Sequence, residues 1–386
     1  MSVPHLLFVV FGILLYLHPN NRSYVKIPQM PKFHPLRVKD VRLETAECVS
    51  VAFEVPAELA GEYAFVHGQN LTLKTEIKGE EVRRSYSICT SPMDGELRVA
   101  IKKAPGGKFS TFALEHLHAG DTLDVMTPSG TFSTPLDPAR EKNYVAFAAG
   151  SGITPILSIL RTVLYTEPKS SFTLFYGNKS ADSIIFREQL EGLKNLFLER
   201  LAVHYVLSRE FPGADLFYGR INADRCGDFC RLLIDPKEVD SYFLCGPEEM
   251  IFSVKEKLQT LGVDPKSIHY ELFTSPVGSL GVKTPYTPPP AMAVRAKISV
   301  VRDGNAFAFE LGSDGDTILE GALKAGADLP FACKGGVCAT CKAKVLEGKV
   351  AMKANYALEP DEVEAGYVLT CQSHPASDKV SVSYDE

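Results

Sequence analysis

A chain of 386 residues exceeds what one core usually fills, so several domains are expected, each large enough to fold without staples. Apolar residues make up 45% and charged residues 23% of it, an ordinary globular composition that excludes a fibrous or wholly disordered chain. The net charge of -6 offers no broad basic surface and excludes nucleic acid as an expected partner.

The first notable stretch, Leu6 to Leu17, is almost wholly apolar. It falls short of the ~20 residues a membrane-spanning helix needs. It also lacks the basic segment and small-residue cleavage site of a signal peptide. Three readings stand: a weak membrane anchor, a structural element, or an extension ahead of a native start at Met30. The third is the expectation, with residues 1–29 outside the functional chain and no membrane partner. Nine cysteines without a secreted-domain spacing point to a reducing compartment, the cytoplasm.

From 30 to 136, alternating runs (Val49 to Val55, Leu71 to Lys74, Tyr86 to Cys89, Leu97 to Lys102) are separated by Gly and Pro turns, which predicts an antiparallel β-barrel. Arg84-Ser85-Tyr86-Ser87 closes one run, and Gly106-Gly107-Lys108-Phe109-Ser110-Thr111 opens a helix-like stretch through Leu117. Neither is specific alone. Together, ahead of a dinucleotide domain, they resemble the FAD-binding signatures of the ferredoxin-NADP reductase superfamily. On that resemblance Arg84 pairs with the pyrophosphate and Tyr86 lies against the isoalloxazine. Ser87 hydrogen-bonds the flavin where hydride arrives, and Gly106, Gly107, Ser110 and Thr111 offer phosphate contacts at a helix N-terminus.

From 137 to 273, strand-like runs at Tyr144 to Ala149, Phe172 to Tyr176, Ala202 to Leu207, Tyr242 to Cys245 and Ile268 to Leu272 alternate with helical segments, which predicts an α/β unit with a parallel sheet. After the first run, Thr154 is placed as N-cap and Pro155 at N1, and Ile156, Ile159, Leu160, Val163 and Leu164 form an apolar face. The loop before it, Gly150-Ser151-Gly152-Ile153-Thr154-Pro155, has the context of a phosphate cradle. A proline replaces the third glycine of the dinucleotide fingerprint, a departure that weakens a dehydrogenase reading and is similar to the G-x-G-x-x-P loop of the same reductase superfamily. Cys245-Gly246-Pro247 resembles that superfamily's turn in which the thiol faces the nicotinamide. The second strand tip, Tyr176-Gly177-Asn178-Lys179, carries no acid for a ribose hydroxyl. Ser208-Arg209 resembles the pair that holds a 2'-phosphate, so NADPH is expected, with Glu210 beside it able to blunt the preference.

Ser275 to Pro290 resists helix at each proline and reads as a linker over 274–292. The last block, 293–386, carries 10 Lys and Arg against 14 Asp and Glu, so most of the acidic excess lies here, where it can steer docking to a basic partner. Cys333-x4-Cys338-x2-Cys341, with Cys371 beyond a gap of 29 residues, matches the plant-type spacing for a [2Fe-2S] cluster. Gly335 and Gly336 allow a tight loop with amides aimed at sulfur. Zinc sites favour pairs of C-x2-C instead. Cys226 and Cys230, four apart, read as core residues, as do Cys48 and Cys89.

Cys333 to Cys341 (CKGGVCATC), Met352 to Leu358 (MKANYAL) and Gly366 to His374 (GYVLTCQSH) are similar to the reductase subunits of ring-epoxidising phenylacetyl-CoA monooxygenase complexes, a likeness that extends over all three blocks. The resemblance implies a multidomain fold whose third unit is an α+β, β-grasp-like ferredoxin domain. It implies FAD, NADPH and a [2Fe-2S] cluster, and a diiron oxygenase as electron acceptor, in phenylacetate degradation. No acid-base dyad or nucleophile is needed, because the cofactors carry the chemistry. The competing readings are a reductase serving another oxygenase, hydroxylase or desaturase, and a non-catalytic redox sensor.

Overall fold

The computed structural model describes residues 31–273 and 295–386. The apolar stretch Leu6 to Leu17, the start at Met30 and the proline-rich linker lie outside the described residues. The described residues form three units, each built on its own sheet.

The first unit is antiparallel. Its strands are β1 (Phe33–Thr45), β2 (Cys48–Glu54), β3 (Asn70–Ile77), β4 (Glu80–Ser87), β5 (Leu97–Lys102) and β6 (Thr122–Met126), in the order β4-β3-β6-β1-β2-β5. Beyond the end of β4, Ile88 bridges Val99 of β5 and the Cys89 N–H donates to the Arg98 carbonyl at 2.9 Å, which draws the two ends of the sheet together into a barrel. Alternate residues such as Val49, Val51 and Phe53, or Leu71 and Leu73, fill one core, as the two-residue period of a strand dictates. Helix α1 (Lys108–Glu115) adds Phe109 and Ala113 to that core.

The second unit holds five parallel strands, β7 (Asn143–Ala149), β8 (Ser171–Asn178), β9 (Leu201–Leu207), β10 (Ser241–Cys245) and β11 (Ile268–Glu271), in the order β11-β10-β7-β8-β9. The order reverses at β7, so a crevice opens at the carboxyl ends of β7 and β10. The helices are α2 (Ile153–Thr166), α3 (Arg187–Leu196), α4 (Ala223–Leu232) and α5 (Glu248–Thr260).

Helix α2 departs from the sequence expectation in two ways. A short 3-10 turn, Gly150–Gly152, runs straight into it, so Gly152 is the N-cap and Thr154 lies inside the first turn, its hydroxyl donating to the Ser151 carbonyl at 3.0 Å. The helix is also buried on more than one face. The parallel sheet covers one side and the barrel another: Ser158 donates to the Thr90 carbonyl at 2.6 Å, and Cys48, Cys89 and Phe132 share its apolar core. A helix wedged between two sheets needs apolar residues over a wider arc than a surface helix.

The third unit has β12 (Arg295–Arg302), β13 (Asn305–Gly312), α6 (Ile318–Lys324), β14 (Lys342–Glu347), β15 (Val350–Met352), α7 (Pro360–Glu364), β16 (Tyr367–Leu369), β17 (Ser373–Pro375) and β18 (Lys379–Ser383). Its main sheet runs β13-β12-β18-β14-β16, with β12 and β18 parallel, and β15 pairs separately with β17. No helix among the described residues is long and apolar enough to cross a membrane.

Candidate functional site

Strand β4 sets out the residues expected at a flavin. Arg84, Tyr86 and Ser87 stand opposite Leu73, Leu71 and Asn70 of β3. Arg84 is exposed, and the Tyr86 ring leans on Phe109 at 5.6 Å. Gly106 has φ 68° and Gly107 caps α1. The Gly107 N–H is already donated to the Ala104 carbonyl (3.0 Å), and the Thr111 N–H to the Gly107 carbonyl (3.1 Å). The amides left for an anion are therefore those of the helix's first turn, from Lys108 to Ser110. The Ser110 hydroxyl accepts from the Ala104 N–H at 3.1 Å, which fixes the approach to that turn.

At the end of β4, Ser87 donates a hydrogen bond to Glu271 Oε2 at 2.8 Å, across 184 residues of sequence. Glu271 stands opposite Cys245 in the parallel register of β10 and β11. Three strands from two sheets thus bring a hydroxyl, a carboxyl and a thiol together. Burial pushes the Glu271 carboxyl up to about 7, against the opposing effect of the Ser87 hydrogen bond. Burial also holds the Cys245 thiol well above its usual range, and the nearby Glu271 charge adds to this, so it stays protonated. Sequence reasoning misses Glu271. The available signal is an acid at the end of an otherwise mostly apolar strand run.

The Gly150–Pro155 loop touches the Cys245-Gly246-Pro247 turn. A Cβ on Gly152 would lie 2.0 Å from the Cys245 carbonyl oxygen, so only glycine permits the approach. Tyr176 holds the loop from the other side, its hydroxyl donating to the Gly150 carbonyl at 3.0 Å. Farther along the same sheet edge, the N–H groups of Ser208 and Arg209 donate to the Asn178 and Lys179 carbonyls at 3.0 and 2.8 Å. This sets exposed Arg209 beside exposed Lys179 at the tips of β9 and β8. Glu210, whose charge would oppose a phosphate there, accepts from the Ala181 N–H at 2.8 Å.

The four expected cluster ligands lie in loops around β14 and β16. The Cys338 and Cys371 thiols donate toward Cys333 and hold it far below its usual range, while Cys338 and Cys371 are themselves pushed up. Cys341 also contacts Cys371. Such mutual contact is what a shared centre requires. Among the described residues, no three His, Cys, Asp or Glu side chains gather as a site for a single ion. A binuclear cluster asks for less at each iron, two thiolates with bridging sulfides completing the shell.

The loop that follows Cys333 is strongly wound, with Lys334, Gly336 and Ala339 at φ 50°, 79° and 53°. It aims the Gly335 N–H at Cys333 Sγ, 3.3 Å away. A Cβ on Gly336 would come to 3.1 Å of both the Ala354 carbonyl and the Gln372 side chain. The Gln372 amide in turn donates to the Lys334 carbonyl at 2.9 Å and lies 3.6 Å from Cys371 Sγ, tying the loop to the fourth ligand. All nine cysteines are free of disulfides, and Cys226, Cys230, Cys48 and Cys89 are buried in apolar cores as expected.

The three units meet at a cavity of about 480 Å³ walled by Asn70 of the barrel, Tyr270 and Glu271 of β11, and Cys338 and Tyr356 of the third unit. Val337, Cys333 and Tyr356 pack into the apolar cluster that holds Phe252, Tyr270 and Leu272. The carboxyl that bonds Ser87 and a cluster-side cysteine therefore share one set of walls. The residues present fit the implied groups: free first-turn amides for a pyrophosphate, a glycine-closed crevice for a nicotinamide, and four thiols in mutual reach for two irons.

The chain matches three domain families in order: an oxidoreductase FAD-binding domain over residues 35–134, an oxidoreductase NAD-binding domain over 147–256, and a 2Fe-2S iron-sulfur cluster binding domain over 300–376. It is 46% identical over 356 residues to a subunit of the 1,2-phenylacetyl-CoA epoxidase of Escherichia coli (strain K12), covering 92% of this chain and 99% of that protein. It is 32% identical to the ferredoxin reductase component of 3-ketosteroid-9-alpha-monooxygenase from Rhodococcus rhodochrous, over 93% and 99% of the two chains. Phthalate dioxygenase reductase, at 22% identity, shares the fold over 91% of this chain and 98% of its own, with a TM-score of 0.56. With three units, the matching domains in the same order and end-to-end relatives, the chain belongs to the oxygenase-reductase family of oxidoreductases that carry electrons through FAD- and NAD-binding domains to a [2Fe-2S] ferredoxin domain.

Proposed function

We propose that this protein is the reductase of a phenylacetyl-CoA epoxidase, drawing electrons from NADPH and delivering them one at a time to a diiron oxygenase component in the cytoplasm. The observation that carries this reading is the 46% identity sustained over nearly the whole of both chains, through all three units. When bound, the cofactors turn the two electrons of a hydride into single electrons. The chain's own residues bind, orient and exclude water. The α1 first turn and Arg84 take the FAD pyrophosphate, with Tyr86 against the ring, and Cys333, Cys338, Cys341 and Cys371 take the cluster.

At the hydride end, Cys245 and the Gly150–Pro155 loop place the nicotinamide. Burial, working against the Ser87 hydrogen bond, raises Glu271 to about 7, so this carboxyl can hold a proton near neutral pH beside the Ser87 hydroxyl. At the adenosine end, Arg209 and Ser208 hold the 2'-phosphate. The Ala181 N–H holds the Glu210 carboxylate at the same strand tips, where its charge blunts the preference for the 2'-phosphate. Reconstitution tests the whole reading. With the oxygenase component of a phenylacetyl-CoA epoxidase, phenylacetyl-CoA and NADPH, ring-epoxide formation coupled to NADPH oxidation is expected. Failure there, together with turnover of a ketosteroid oxygenase, would reassign the partner.

A further inference from the structure

The barrel and the cluster-bearing unit also meet at one side chain. Arg83, on β4, is only 9% exposed. Its guanidinium lies 4.3 Å from the centre of the Phe331 ring and 5.3 Å from that of Phe33, so it bridges an aromatic of each unit. Nη1 donates to the Leu329 carbonyl at 3.4 Å, and Nη2 stands 3.9 Å from the exposed Asp328 carboxylate. On its own strand, Nε bonds Glu81 at 2.7 Å. Lys334 brings a second cation to 4.6 Å of the Phe331 ring.

Burying an arginine is unfavourable unless its donors and its flat face are both used. Here most of what uses them belongs to the other unit. The carbonyl bond is long and the Asp328 pair exposed, which leaves the guanidinium–ring contact as the principal attraction across this seam. The position matters more than the strength. Phe331 stands two residues before Cys333, and Arg83 precedes Arg84, Tyr86 and Ser87 on one rigid strand. The contact links the strand assigned to the flavin with the loop assigned to the cluster.

We propose that Arg83 and Phe331 form a clasp that positions the cluster loop against the flavin strand and so sets the rate of the internal electron step. In that step reduced FAD loses one electron and the oxidised cluster gains it. NADPH supplies the hydride beforehand, and the second electron follows once the cluster has passed the first to an acceptor. The proposal rests on the assignment of β4 to FAD and of the four cysteines to the cluster. It is independent of which oxygenase is served, and its test needs none.

The experiment uses the full-length, cofactor-loaded protein as wild type, Arg83→Ala, Arg83→Lys and Phe331→Leu. Rapid mixing with NADPH follows flavin bleaching and cluster reduction separately, and hydrogen exchange follows the amides of β4 and of residues 327–334. Arg83→Ala is expected to leave flavin bleaching unchanged, to slow cluster reduction about tenfold and to raise exchange in 327–334. Arg83→Lys, which keeps the charge but not the planar stacking face, should fall between. Phe331→Leu should match Arg83→Ala. Cluster reduction at the wild-type rate with unchanged exchange would overturn the proposal. So would loss of FAD or equal slowing of both steps in Arg83→Ala, which would make Arg83 a flavin-site residue.

Discussion

At the scale of single residues, the most informative side chain is a carboxyl in an unfavourable place. Glu271 is pushed up to about 7 chiefly by burial. Its folded value lies above its unfolded one, so the folded protein holds the extra proton over that interval. The associated stability is fully present below about pH 4.5 and is lost as pH rises through 7. Glu271→Gln keeps an acceptor for Ser87 and removes the charge. Urea unfolding should show the variant close to wild type at pH 5 and more stable at pH 8, by on the order of 1–3 kcal/mol. A wild-type protein whose urea midpoint does not fall between pH 5 and 8 would contradict the burial argument.

At the scale of elements, the strand order reverses at β7 and opens the crevice assigned to the nucleotide at the carboxyl ends of the parallel strands. The helix after β7 could be placed from its apolar spacing, but its start could not. Thr154 looks like a cap in sequence, yet a 3-10 turn formed by Gly150–Gly152 leaves no extended residue there to act as one. The tips of β8 and β9 converge through backbone bonds that carry Arg209 to Lys179. Arg209→Ala is expected to raise KM for NADPH at least tenfold while changing KM for NADH less than twofold, through loss of uniform binding. Steady-state kinetics with both nucleotides decides it, and equal changes would remove Arg209 from the phosphate.

At the scale of the whole molecule, the four acids at α7 of the last unit resolve into two groups. Glu359 is exposed where it lines the three-way cavity, as Lys255 and Lys266 of the second unit do, and Glu362 is paired with Lys342 at 3.0 Å. Asp361 and Glu364 are exposed on α7. Reversing both, as Asp361→Lys with Glu364→Lys, should slow reduction of the oxygenase component about three- to tenfold at low salt, and the difference should fade as salt is raised. Reduction of ferricyanide by NADPH should not change. A salt series of single-turnover rates makes the comparison, and a rate that is indifferent to the reversal would place docking on another face.

The sequence by itself determined the three units, their order and their cofactors. Alternating runs, a glycine loop between strand and helix, and four cysteines at fixed intervals are local patterns whose physics acts over a few residues. Tertiary structure alone decided what happens between units: Ser87 against Glu271, Arg83 against Phe331, and Glu271 and Cys338 on the walls of one cavity. Those partners lie far apart along the chain, and nothing in the neighbourhood of one names the other. What joins them is the packing of one sheet against another, which depends on the complete set of buried surfaces and leaves no periodic trace in the sequence.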